Sequence, residues 1–196
     1  MITLNVKGVR LTVSFGFLFL VGIYSAGNDD ITLCCLLFSL IHELAHVSSM
    51  LLVGTRVSGI DFYGGGIRIL AEDISELSKP CRMLIYLSGC LMNLVLFTAL
   101  YLLGYDQLAY INLIILLFNI MPVSYFDGGR AAALLLGENS PVAKCLSHIF
   151  VLIILAGAGA AFISYLSLEK PLIPLSTILT GVFIGVSELF DNEINL

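Results

Sequence analysis

Residues 41–46 read Ile-His-Glu-Leu-Ala-His, and their types and spacing suit a metal ion. On an α-helix, positions i and i+4 share one face, so His42 and His46 present two imidazoles side by side. Two imidazoles so placed can grip one tetrahedral zinc ion. Glu43 stands beside that face, where its carboxylate can reach a metal-bound water and take its proton. The chain has 3 histidines, so this motif uses all but His148. A structural zinc site is closed by protein ligands, whereas a catalytic one has three and an open position. The pattern therefore calls for one more ligand elsewhere in the chain.

Two residues are available. His148 stands near the start of an apolar segment, with no motif around it. Asp127 closes the stretch NIMPVSYFDGGR, which begins at Asn119. There Pro122 removes a backbone donor, and Gly128 and Gly129 permit backbone angles that other residues resist. A helix interrupted at membrane depth is tolerated only where it lines a cavity or packs on protein. Such a break would let the Asp127 carboxylate turn toward the metal. Taken alone, Asp-Gly-Gly better suits a turn ending a helix at the membrane surface, and His148 suits an interfacial histidine.

The surroundings of these residues are strongly apolar. The chain is 59% hydrophobic and 12% charged, with a mean hydropathy of +1.03. Soluble domains average about 45–50% apolar and about 25% charged, so this composition belongs to a membrane. A net charge of −5 gives no basic face for a nucleic acid. The 5 cysteines are odd in number and form no CxxC pair, which argues for small buried hydrophobes over disulfides or metal ligands.

Six apolar segments lie at roughly 11–26, 31–53, 83–104, 108–123, 145–167 and 172–190. Most approach the ~20 residues that cross the hydrocarbon core. The first is short and follows Lys7 and Arg10, so a signal peptide is the alternative for it. If all six cross, Lys7, Arg10, Arg56, Arg68, Lys79, Arg82, Arg130 and Lys144 share one face, and Lys170 falls on the other. The positive-inside rule then puts both termini in the cytoplasm. His42 is the midpoint of the second segment, about 17 Å from either end at ~1.5 Å per residue. Ionisable groups at that depth cost on the order of 2.5–3.5 kcal/mol each and are functional by default. Two connections carry structure of their own. Residues 57–73 place β-branched and aromatic residues on either side of Gly64, Gly65 and Gly66, the pattern of a β-hairpin. Residues 128–137 are too short to span and suit an interfacial helix. The expected fold is an all-α polytopic membrane protein of about six transmembrane helices, with a small cytoplasmic-side hairpin. It forms a single domain over 1–196, with room for neither a PDZ nor a CBS domain.

The HExxH helix followed downstream by N-x-x-P-x-x-x-x-D-G-G resembles the site-2 protease family of intramembrane zinc metalloproteases. Ser88-Gly89-Cys-Leu-Met-Asn93 is similar to that family's G-x-x-x-N element on the third helix. The layout and the NIMPVSYFDGGR wording look closest to the bacterial sporulation-type branch, which includes the protease that activates a sporulation sigma factor from its pro-form. The resemblance implies Zn2+ held by His42, His46 and Asp127, with Glu43 as catalytic acid/base. It also implies that Asn119 and Asn93 lie close to the active site, where an amide could donate to an oxyanion. Cys90 stands where relatives often carry proline, which puts the geometry of the third helix in doubt. The implied reaction is hydrolysis of peptide bonds in or beside transmembrane segments, as in regulated intramembrane proteolysis of a pro-sigma or anti-sigma factor. The implied partners are a single-span or membrane-associated protein substrate, regulatory membrane proteins and the bilayer. A helical substrate must unwind first, and the 57–73 hairpin could offer it a strand edge. A non-proteolytic zinc scaffold has no need of Glu43. A transporter, which broken helices also mark, lacks here any paired halves or internal repeat.

Overall fold

The computed structural model describes residues 2–6, 9–14, 30–63, 66–71, 74–124, 126–137, 140–167 and 182. The chain divides into two compact units, Met1–Phe118 and Asn119–Leu196.

The first unit contains a four-stranded sheet. Its strands are β1 (Ile2–Val6), β2 (Val9–Val13), β3 (Val57–Tyr63) and β4 (Gly66–Ala71), in the spatial order β1-β2-β3-β4. β1 pairs with β2 antiparallel, β2 with β3 parallel, and β3 with β4 antiparallel. The hairpin expected within 57–73 is therefore present as β3 and β4; its tip, at Gly64 and Gly65, lies outside the described residues. Residues 11–13 correct the first apolar segment, and the sheet corrects the all-α expectation. In Val-Arg-Leu-Thr-Val the apolar residues alternate with polar ones, the period of a strand. Their hydropathy merged with the apolar run that follows. Parallel β2 and β3 need a long crossover, and it includes the helix that bears the HELAH motif.

That helix is α1 (Asp30–Leu52). It is followed by a 3-10 turn (Ile74–Glu76), α2 (Lys79–Leu102) and α3 (Asp106–Asn119). Both long helices stop in the same way. Gly54 (φ +82°) and Gly104 (φ +80°) adopt the left-handed conformation that only glycine takes cheaply. The chain then folds back, so that Thr55 N–H donates to Met50 O and Tyr105 N–H to Leu100 O. These bonds satisfy carbonyls that a helix end leaves open. Pro80 in the first turn of α2 needs no backbone donor.

α1 packs on α2 through a face that is partly polar. His42, His46 and Ser49, at i, i+4 and i+7, are buried, while Leu33, Leu37, Leu40, Leu44 and Leu51 are exposed at helical spacing. On α2 the inner face carries Ile85, Gly89, Cys90 and Asn93. Small residues there let two helices approach closely where apolar burial alone drives no association. An inner face that mixes these polar groups with Phe38, Ala45 and Met50, and an outer face of leucines, suit a hydrocarbon solvent.

The second unit contains α4 (Asp127–Leu136) and α5 (Pro141–Ser167), which pack on one another. α4 is the short helix expected over 128–137. The break, described over 120–124 and at 126, is irregular, with Phe126 N–H donating to Val123 O and Ser124 N–H to Ser147 Oγ. Gly128 and Gly129 do not take unusual backbone angles; both are helical. They are needed for clearance. A Cβ at Gly128 would collide with the carbonyls of Ile120 and Met121, and one at Gly129 with that of Val123.

Among the described residues, three stretches are long and apolar enough to cross a membrane: Leu33–Leu52, Lys79–Leu102 and Pro141–Leu166. α3 has 14 residues, about 21 Å at ~1.5 Å each, short of a ~30 Å core. The rest of the first expected span, beyond residue 14, and the last, at 172–190, lie outside the described residues, Val182 excepted.

Candidate metal centre

The first unit holds the two histidines in a defined geometry. His42 is 3% and His46 6% exposed, so neither ring meets solvent freely. Their Nε2 atoms are 3.2 Å apart. The rings meet edge to face, 77° between planes.

The opposite nitrogen of each ring has an acceptor. His46 Nδ1 lies 2.7 Å from the carbonyl oxygen of Ile85, which can only accept. The proton of that ring is therefore on Nδ1. Ser88 Oγ, 3.1 Å from the same nitrogen, donates to Ile85 O and bonds Ser49 Oγ at 3.0 Å. His42 Nδ1 lies 2.5 Å from Asn93 Oδ1. In their neutral forms both rings thus turn an unprotonated Nε2 toward one point. At 3.2 Å, two such lone pairs need a proton or a metal cation between them. A tetrahedral zinc with Zn–N bonds of ~2.05 Å sets its two nitrogens about 3.3 Å apart. The spacing of the pair fits that ion.

Space for the pair comes from α2. A Cβ on Gly89 would lie 2.5 Å from Nε2 of both His42 and His46. Gly89 therefore faces the point on which the nitrogens converge, and any side chain would fill it.

The other residues singled out in the sequence are placed as follows. Glu43 is half-buried on α1, between the two histidines in sequence. Asn93 is fully buried (0% exposed), and its amide holds His42 from behind and donates to Asn112 Oδ1 at 3.0 Å. Asn119 is the last residue of α3, and Asp127 is in the first turn of α4; both are half-buried and belong to the second unit. His148 lies on α5 and donates from Nδ1 to Lys144 O of its own helix at 2.6 Å. Sequence reasoning overlooked Ser49 and Asn112, and gave Ser88 no role of its own. Asn112 had a readable signal: an amide in the middle of an otherwise apolar helix, Leu-Ala-Tyr-Ile-Asn-Leu-Ile-Ile-Leu-Leu.

No protein-family profile and no curated protein matches the sequence. Among solved structures, the chain is similar to a site-2 protease from Methanocaldococcus jannaschii, with a TM-score of 0.67 at 17% identity. The match covers 100% of this chain and 96% of that one. At this identity the likeness establishes a shared fold.

Proposed function

We propose that the chain is an intramembrane zinc metalloprotease that cuts peptide bonds in or beside the transmembrane segments of membrane-bound proteins. The observation that carries this reading is the histidine pair: two buried Nε2 atoms, 3.2 Å apart, meeting where Gly89 leaves room. The fold shared with a site-2 protease supports it. The third ligand we assign is Asp127, on the resemblance carried by its N-x-x-P-x-x-x-x-D-G-G stretch. Two neutral imidazoles and one carboxylate leave a position open, as a catalytic zinc requires.

When bound, zinc would supply Lewis acidity and make water a nucleophile near neutral pH. Glu43 takes the proton of the attacking water and hands it to the leaving amine. Asn119 donates a hydrogen bond to the oxyanion. The substrate is a single-span or membrane-associated protein, unwound before cleavage. β4 is an edge of the sheet, so an extended substrate can add to it as a further strand. The bilayer surrounds the long helices, with both termini on the cytoplasmic side, and regulatory membrane proteins control access. The sporulation-type branch of bacteria is the setting we assign, with a pro-sigma or anti-sigma factor as substrate class.

The test is Glu43→Gln. The variant is expected to keep its zinc and lose ~10²–10⁴-fold in cleavage of a co-expressed membrane substrate, the range for a general acid–base. A Glu43→Gln protein that cuts at the wild-type rate would remove the assignment.

A further inference from the structure

Behind His42 runs a buried chain of amides that no part of the proposed chemistry uses. His42 Nδ1 meets Asn93 Oδ1 at 2.5 Å, Asn93 Nδ2 donates to Asn112 Oδ1 at 3.0 Å, and Asn112 Nδ2 donates to Leu108 O at 2.9 Å. Both asparagines are 0% exposed. The chain joins three helices: α1 carries His42, α2 carries Asn93, and α3 carries Asn112 and Leu108.

Its direction is set from the far end. The Leu108 carbonyl can only accept, so Asn112 must present its NH2 there and its oxygen to Asn93. Asn93 must then present its NH2 to Asn112 and its oxygen to His42. His42 must answer with a protonated Nδ1, which leaves the lone pair on Nε2, facing His46. Turning either amide over would set two donors or two acceptors against each other, in a place water does not reach. One backbone carbonyl of α3 therefore decides which nitrogen of a ring on α1 can bind a metal.

We infer that Asn112 is a positioning residue for the metal centre: it orients the Asn93 amide, and through it holds His42 in the tautomer and rotation that present Nε2. This rests on the metal reading above. A hydrogen-bond partner behind a ligating histidine commonly accounts for 10–100-fold in metal affinity. Asn112 acts one amide further out, with no atom at the ion.

The experiment measures zinc affinity of the full chain in detergent by competition with a chelator. Thermal unfolding in EDTA reports the fold separately. Asn112→Leu and the smaller Asn112→Ala, which cannot clash, leave the Asn93 amide without its acceptor; each is expected to lose about 10–100-fold in affinity. Asn112→Asp is the rescue. A buried, protonated aspartic acid donates to Leu108 O and accepts from Asn93, as the amide does, so affinity should return to within about threefold of wild type. A residue acting through Asn93 adds nothing once Asn93 is gone, so Asn112→Leu should have no further effect on an Asn93→Leu background. Wild-type affinity in a folded Asn112→Ala protein overturns the inference. So does an equal loss on the Asn93→Leu background, or an Asn112→Asp protein as weak as Asn112→Ala. A wild type that binds no zinc overturns the metal reading itself, and with it this one.

Discussion

Replacing Gly89 by alanine plants a Cβ 2.5 Å from Nε2 of His42 and 2.5 Å from Nε2 of His46. Non-bonded heavy atoms settle at roughly 3.5–4.0 Å, so both ring tips must retreat by about 1 Å. They are the far ends of side chains, and rotation can make that room. Rotation also carries each Nδ1 away from its partner, Asn93 Oδ1 for His42 and Ile85 O for His46. Two hydrogen bonds at about 1 kcal/mol each bound the loss of stability near 2 kcal/mol. The metal is less forgiving, because its bond lengths tolerate only about ±0.2 Å. A 1 Å retreat of two ligands, together with a methyl group at the ion's place, should weaken zinc by at least about 100-fold, or about 2.8 kcal/mol. The assay is zinc per chain at buffered free zinc, with helix content and unfolding temperature in EDTA as controls. A Gly89→Ala protein that folds and binds zinc within threefold of wild type refutes the reading that Gly89 clears the site.

Gly54→Ala serves as a contrast: its Cβ meets nothing within 4 Å, but φ of +82° is strained for any L side chain. It should cost about 1–2 kcal/mol in stability and leave zinc affinity unchanged, read by thermal unfolding and chelator competition. Gly129→Ala drives a methyl into the Val123 carbonyl at the start of α4, so about 1–3 kcal/mol of stability should go, or the helix start should shift. Adding zinc at 1,000 times its Kd should raise the unfolding free energy by about 4.1 kcal/mol, and excess EDTA should reverse the rise. An unfolding temperature indifferent to both would count against a bound metal. Single prolines stepped along β4 should abolish cleavage where the ring faces the open edge, with zinc content normal; cleavage unchanged at every position would dismiss strand addition.

Much of this protein is legible in its residues. HELAH on a helix puts His42 and His46 on one face at any depth, because 3.6 residues per turn does so without help from neighbours. The glycine-rich 57–73 stretch announces β3 and β4, whose pairing is local. Apolar length foretold α1, α2 and α5. Hydropathy could not separate β2 from the apolar run after it, since Leu11 and Val13 raise the average whichever structure they adopt. Nor could it show β2 lying parallel to β3, a pairing across a connection of more than forty residues. The site's finer chemistry is tertiary in the same sense. Which imidazole nitrogen carries the proton depends on a carbonyl of α2 and an amide chain reaching α3. Whether two rings have room depends on a missing side chain on α2. Periodicity along one helix places the histidines side by side, while three helices packed together decide that their lone pairs meet.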